Sequence, residues 1–105
     1  MSLAEQRRRM LAGDWYDDLT DELVTAREGA VHRTDAYNAS FGRPAAEREA
    51  LLAALLGRVG ARVHFEPAFR CEFGFNIEVG DDFYANFDCV MLDGGGITIG
   101  NRVLL

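Results

Sequence analysis

The sequence lacks several features that define large classes of proteins. Two cysteines, Cys71 and Cys89, are too few for a disulfide scaffold and lie too far apart for a redox pair. No apolar run approaches the roughly 20 residues of a membrane-spanning helix. The N-terminus also lacks the long apolar stretch of a signal peptide. Together these absences predict a cytoplasmic protein with reduced thiols.

Positive charge is also scarce. Eleven Lys and Arg residues stand against seventeen Asp and Glu residues, which gives a formal net charge of -6. Nucleic acids and anionic membranes are bound through basic patches, so we expect neither as a partner. The chain has 105 residues, 49% of them hydrophobic, and is therefore expected to fold as one packed unit around a core.

Composition changes along the chain, from Arg, Glu, Ala and Leu to Gly, Val, Phe and Ile. Residues 1–57 are predicted to form a helical N-terminal domain and residues 58–105 a region of strands and turns. The helices are expected over 2–12, with a capping box from Ser2 and Gly13 as the C-cap, then over 20–39 and 44–57.

From Val79 onward, small or aliphatic residues recur about every six positions. They stand at positions 79, 85, 91, 99 and 105, with steps of 6, 6, 8 and 6 residues. Such a period is typical of a parallel β-helix, in which the recurring residue points inward and the glycine after it takes a positive φ. An antiparallel meander is the alternative. Cys71 and Cys89, 18 residues apart, are predicted to stack on adjacent coils, since three hexads form one coil.

Longer motifs carry a resemblance to a known family. The stretch 73–89, FGFNIEVGDDFYANFDC, resembles the first coils of the maltose and galactoside O-acetyltransferases and of the nodulation acetyltransferases. The segments 10–18 and 47–52 resemble the N-terminal helical domain of that family, and Glu66-Pro67 resembles the start of its β-helix. The resemblance implies an α+β fold, with a helical domain followed by the first coils of a left-handed parallel β-helix.

The same resemblance implies a function. The family transfers acetyl from acetyl-coenzyme A to a hydroxyl of a sugar such as maltose, glucose or a galactoside. It works as a homotrimer with sites between subunits, and a histidine acts as the general base in a ternary complex. A thioester needs no metal activation, so no metal is expected.

The chain departs from the family pattern at the catalytic residue. The catalytic histidine of the family lies beyond the segment that matches 99–105. We therefore expect these 105 residues not to contain it. His32 is expected on a helix surface and His64 on the outer face of a strand. The chain is therefore interpreted as an N-terminal fragment that is inactive alone. The alternative is a natural short paralogue, a non-catalytic scaffold or assembly partner.

Four residues match, or nearly match, acceptor-binding positions of the family. They are Asp18, Glu72, Asn86 and Asp93. Each has a plainer interpretation: Asp18 as a turn carboxylate with Asp17 as its rival, Asn86 as a turn residue with a positive φ, and Glu72 as a solvated strand residue. The Asp93 match is displaced by one position, onto Gly94. Residues that bind the coenzyme are not assigned. Arg70 either steers the coenzyme or, preferably, forms a surface ion pair.

Overall fold

The computed structural model describes all 105 residues and places three helices before seven short strands. The helices are α1 (Leu3–Ala12), α2 (Asp21–Asn38) and α3 (Ala45–Leu55). The strands are β1 (Arg58–Val59), β2 (His64–Phe65), β3 (Arg70–Cys71), β4 (Ile77–Val79), β5 (Tyr84–Ala85), β6 (Val90–Met91) and β7 (Ile97–Ile99). None of the helices combines the length and apolarity that a bilayer-spanning helix requires.

The first helix has the bounds that its capping residues predict. The Ser2 hydroxyl accepts a hydrogen bond from the Glu5 amide at 3.1 Å, and Gly13 ends the helix in the left-handed conformation with φ 77°. The Glu5 carboxylate does not complete the capping box, because it pairs with Arg8 and Arg9 instead.

The third helix ends earlier than predicted. Leu56 is already extended, with φ −94° and ψ 156°. The Gly57 amide donates to the carbonyl oxygens of Gly74 and Ile77, at 3.2 and 3.0 Å. Since these bonds belong to the first coil, the chain has left the helix before Gly57.

The strands form three parallel sheets, with the orders β1-β4-β7, β2-β5 and β3-β6. Arg58 pairs with Glu78 and Ile77 pairs with Ile97, so successive coils are 20 residues apart. The predicted parallel β-helix is confirmed and the antiparallel meander is wrong, because every pairing is parallel.

The length of the coil corrects the predicted cysteine stack. Cys71 pairs with Met91, not with Cys89. A coil is two residues longer than three hexads because each one contains the eight-residue step that the sequence shows between positions 91 and 99. Both cysteines still pack against the main core, as expected of near-core side chains.

The positive backbone angles also fall elsewhere than predicted. Arg62, Asp82 and Arg102, 20 residues apart, have φ of 57°, 58° and 59°. The glycine that follows the inward aliphatic residue does not; Gly80 instead lies close to the side chain of Asn101 and the backbone of Gly100 in the next coil. Close contact between coils, and not a positive φ, therefore requires glycine at position 80.

The main core lies where the helices cover the first coil. Phe65, Phe69 and Phe83 are fully buried inside the coils, with Phe65 and Phe69 ring centroids 4.2 Å apart. Tyr37 of α2 and Leu52 of α3 belong to the same cluster. The helices and the coils therefore share one core. Burial of each large apolar side chain in it stabilises the fold by about 1.5–3 kcal/mol. A second, smaller cluster joins Met10, Leu23 and Phe73.

Candidate functional site

Arg27 joins two of the predicted acceptor-binding carboxylates. Its Nη2 atom lies 2.6 Å from Asp18 Oδ1 and 3.4 Å from Glu72 Oε2. The guanidinium also lies over the Phe73 ring, 4.9 Å from the ring centroid. The guanidinium group of Arg27 is thus paired with two carboxylates and stacked on an aromatic ring. Since a planar guanidinium with several partners keeps its orientation, it holds the two carboxylates in place relative to each other.

A small gap borders this ion-pair group. Glu72 Oε1 and the Tyr16 hydroxyl each lie 3.4 Å from the point that a Cβ atom on Gly94 would occupy. The missing side chain at position 94 leaves polar atoms from the α1–α2 loop and from a coil corner facing one space. Asp18, Arg27, Glu72 and Tyr16 are called the acceptor cluster below.

Sequence reasoning did not identify Arg27 or Tyr16. The signal for Arg27 is its place in the periodicity of α2, where Leu23, Ala30, Thr34 and Tyr37 are buried. Position 27 lies on the same face of the helix, because it is four residues after Leu23 and three residues before Ala30. A charged residue in an apolar stripe indicates a specific partner, here the two carboxylates. For Tyr16 the sequence holds no comparable signal.

Asp93 is buried away from solvent. It is 0% exposed, and its two oxygens accept hydrogen bonds from the amides of Phe73 and Asn76, at 2.8 and 3.1 Å. These bonds occupy both carboxylate oxygens and tie one corner to the coil below. The geometry favours a structural role, and acceptor binding by Asp93 stays a prediction.

Asn86 lies at a different corner of the coil. It follows β5, whereas Glu72 follows β3, and it is exposed. Its Nδ2 atom donates to the Leu105 carbonyl oxygen at 2.9 Å. Asn86 is not among the residues with positive φ, so the turn interpretation does not explain it. Within one chain the structure does not join Asn86 to the acceptor cluster.

Neither histidine is hydrogen-bonded to the acceptor cluster. His32 is exposed on α2, as predicted. His64 is on the outer side of β2, also as predicted, but it is covered there: Arg48 Nη1 lies 2.9 Å from its Nδ1 atom. Because arginine only donates, Nδ1 must accept, and the ring proton of neutral His64 is on Nε2, which faces Glu66 Oε1 at 3.5 Å.

Glu66 and Tyr84 complete this second polar group. The Tyr84 hydroxyl donates to Glu66 Oε1 at 2.6 Å, and the His64 ring stacks on Tyr84 with centroids 5.2 Å apart. The hydrogen bond from Tyr84 lowers the pKa of Glu66, and the same bond raises the pKa of Tyr84. This group connects α3 to β2 and β5, and its hydrogen-bonding atoms are used internally.

The cysteines and Arg70 carry no reactive arrangement. Burial raises the pKa of the Cys71 thiol to about 12 and also raises that of Cys89. Neither is a fit nucleophile at neutral pH, since the thiolate is the reactive form. No three His, Cys, Asp or Glu side chains are grouped to hold a metal ion. Arg70 makes no ion pair, so the preferred interpretation of that residue is wrong.

Known proteins resemble the chain in sequence. Residues 9–60 match the family described as the maltose acetyltransferase hexapeptide capping motif. Nodulation protein L of Rhizobium meliloti is 36% identical over 96 residues, which cover 91% of this chain and 52% of that protein. The chain spans about half the length of the curated relatives it matches.

Solved structures resemble the fold. A hexapeptide-repeat acetyltransferase of Vibrio cholerae, solved with acetyl-coenzyme A, matches with a TM-score of 0.84 and 37% identity, over 95% of this chain and 54% of that one. A maltose O-acetyltransferase of Clostridium difficile matches with a TM-score of 0.87 and 36% identity, over 99% and 54%. The predicted fold class, helices followed by the first coils of a hexapeptide β-helix, is confirmed.

Proposed function

Because the chain corresponds to the N-terminal part of the maltose and galactoside O-acetyltransferase family, we propose that it binds the hydroxyl acceptor of an acetyl-coenzyme A-dependent O-acetyltransferase. The acceptor is of the sugar class. The observation that carries the proposal is the ion-pair group in which Arg27 contacts both Asp18 and Glu72. Two of the residues that the resemblance implies for acceptor binding are thereby side by side, although they are 54 positions apart in the sequence.

The acceptor cluster has the chemistry that a sugar needs. Carboxylate oxygens accept hydrogen bonds from hydroxyl groups, and the guanidinium and the Tyr16 hydroxyl donate to their oxygens. Charge-assisted bonds of this kind are about twice as strong as neutral ones. Pairing to Arg27 holds Asp18 and Glu72 before the sugar arrives, which reduces the entropy lost on binding.

The acetyl donor is assigned as a substrate, acetyl-coenzyme A, which supplies a thioester that an acceptor oxygen attacks. The Vibrio cholerae relative, solved with that compound, supports this assignment. Attack requires a general base to take the hydroxyl proton. Neither His32 nor His64 contacts the acceptor cluster, so the proposal gives these 105 residues acceptor binding and not proton abstraction.

A homotrimer is part of the proposal. Asn86 and the acceptor cluster lie at different corners of the coils, as expected if two subunits contribute to each site. The coils also expose four large apolar side chains on their outer side: Phe87, Val90, Leu92 and Leu104. Large apolar side chains exposed to water typically mark protein interfaces when they group together, and their number on the outer side of the coils supports assembly of subunits there.

Release of free thiol from acetyl-coenzyme A tests the proposed activity. The product of the complete gene is assayed with a panel of sugars, with and without Asp18→Asn and Arg27→Lys. We expect kcat/KM to fall about 10- to 100-fold in either variant, mainly through KM, because a charge-assisted hydrogen bond contributes about 1.5–3 kcal/mol. Glu28→Gln is the matched control, since Glu28 is an exposed carboxylate beside Arg27 on α2.

Two results would contradict the proposal. One is the absence of thiol release with every hydroxyl acceptor, which would favour the non-catalytic scaffold. The other is an equal loss of activity in Glu28→Gln and Asp18→Asn at unchanged melting temperature, since that would remove the special role of the acceptor cluster.

A further inference from the structure

The loop between α1 and α2 presents a large aromatic surface to solvent next to the acceptor cluster. Trp15 is 93% exposed. It lines an open groove of about 450 Å³ together with Gly13, Asp14, Tyr16 and Asp18. Two members of the acceptor cluster, Tyr16 and Asp18, therefore also form one side of the groove that contains the indole.

Contacts at several points along the loop hold this groove in place. Arg9 Nη1 donates to the Trp15 carbonyl oxygen at 3.3 Å, and the Leu19 amide donates to Asp17 Oδ1 at 3.0 Å. Asp18 is tied to Arg27 of α2. The exposed indole on this held loop leaves a wide apolar face in water, and covering that face is favourable by about 25 cal/mol per Å² of apolar surface.

The chemistry of the groove selects the kind of molecule that covers the indole. Asp14 and Asp18 line the groove beside it, each paired with an arginine, Arg8 at 4.0 Å and Arg27 at 2.6 Å, and their carboxylates can still accept hydrogen bonds. An apolar protein surface would cover these charged groups and offer no hydrogen bonds in place of water, at a cost. A pyranose ring meets both conditions, because its C–H face packs on the electron-rich face of an indole while its hydroxyls donate to the carboxylates.

We propose that Trp15 is the stacking platform for a second sugar ring of the acceptor, next to the ring that the acceptor cluster binds. This inference rests on the proposed function and deepens it: the acceptor is a disaccharide or longer glycoside in preference to a monosaccharide. Trp15 is thereby a specificity-determining residue.

The chain offers a direct probe of this contact, because Trp15 is its single tryptophan. Indole emission of the 105-residue chain is titrated with glucose and with maltose, a pair that differs by one ring. We expect a saturable blue shift whose midpoint is about five- to tenfold lower for maltose, equivalent to about 1 kcal/mol for the aromatic contact.

Kinetics on the complete gene product provide the second measurement. Trp15→Ala is expected to lower the ratio of kcat/KM for maltose to that for glucose about five- to tenfold, and Trp15→Phe to restore most of it. Leu19→Ala is the matched control, because Leu19 is 76% exposed on the same loop but does not line the groove. It is expected to leave the ratio unchanged.

The outcomes separate this inference from the proposed function. A saturable maltose response without acetyl transfer supports the platform and counts against the enzyme. Acetyl transfer with the same maltose-to-glucose ratio in Trp15→Ala overturns the platform and leaves the enzyme standing. Emission that shifts with protein concentration in the absence of sugar overturns the platform as well, because a second copy of the chain then covers the indole.

Discussion

Side-chain contacts within the helices join near neighbours, whereas those between the coils join residues 17 to 20 positions apart. Glu5 pairs with Arg8 and Arg43 pairs with Glu47 inside or beside one helix. In the coils, Asp81 Oδ1 accepts from the Ala61 amide, and Asn101 Oδ1 accepts in turn from the Asp81 amide, both at 2.8 Å. Each corner is therefore fixed by the corner above it, and a local change in one coil reaches its neighbours.

Replacing one glycine in each region tests this difference. Gly74 and Gly13 both have positive φ, 88° and 77°, so alanine strains both. A Cβ on Gly74 would overlap the carbonyl oxygen of Leu55, whereas a Cβ on Gly13 meets nothing within 4 Å. We expect Gly13→Ala to lower the free energy of unfolding by about 1 kcal/mol and Gly74→Ala by about 3 kcal/mol or more. Urea denaturation measures both.

Equal losses in the two variants would contradict this account of the junction between α3 and the first coil. Gly95→Ala is a third variant that separates chain strain from crowding, because Gly95 lies in the coils without positive φ and without close neighbours. It is expected to change stability by less than about 1 kcal/mol.

Replacing the buried carboxylate of Asp93 is expected to cause the next largest loss in the free energy of unfolding. Asp93→Asn keeps one oxygen for the Phe73 or Asn76 amide and leaves the other amide facing an NH₂ group. An unpaired buried amide costs about 1–3 kcal/mol, so we expect a loss of about 2 kcal/mol in chemical denaturation. The control is Asp88→Asn. The exposed Asp88 carboxylate accepts only one long hydrogen bond, from the Ala68 amide at 3.4 Å, so its loss should change stability little.

This variant also bears on the acceptor-binding prediction for Asp93. If Asp93→Asn lowers sugar affinity but leaves the free energy of unfolding unchanged, the structural role is wrong. If stability falls and the kinetic constants of the folded enzyme stay the same, Asp93 acts only at the corner.

The sequence predicted the elements whose signals are local and missed those that depend on coil length. Ser2 and Gly13 define α1 because caps act within a few residues. Of the five predicted inward positions, 79, 85 and 91 are buried and Ile99 packs against the core, whereas Leu105 is 54% exposed, so the prediction is wrong at that position. The cysteine stack failed because the eight-residue step was treated as an interruption of the repeat and not as part of each coil.

At the candidate site, sequence reasoning named the carboxylates but not the cation between them. Asp18 and Glu72 came from the resemblance, which compares motifs one position at a time. The contact of Arg27 with both depends on how α2 packs on β3 and the corner that follows it. No short motif records that packing, although the charged position in the buried stripe of α2 hints at it.

Loss of a surface ion pair is expected to change stability least of all. These pairs nevertheless compare the two regions directly, because Glu5 is paired within α1 and Asp82 is paired between two coils. Hydrogen bonds from Arg8 and Arg9 lower the pKa of Glu5 to about 2, and a hydrogen bond from Arg62 lowers the pKa of Asp82. A carboxyl group whose pKa is lower in the folded state stabilises the fold above its ordinary pKa. That contribution is lost as pH falls through the folded-state value, which for Glu5 means between about pH 4.5 and 2.

Glu5→Gln and Asp82→Asn should therefore each reduce the fall in the free energy of unfolding at acid pH. The reduction should be small, and smaller still in high salt, because both ion pairs are exposed. Amide hydrogen exchange distinguishes them. The Glu5 pair joins residues of one helix, so Glu5→Gln should speed exchange in α1 alone. The Asp82 pair joins two coils through Arg62, so Asp82→Asn should speed exchange at both the 62 and the 82 corners. Faster exchange at only one corner would contradict the coupling between coils, since a contact that joins residues 20 positions apart cannot open on one side only.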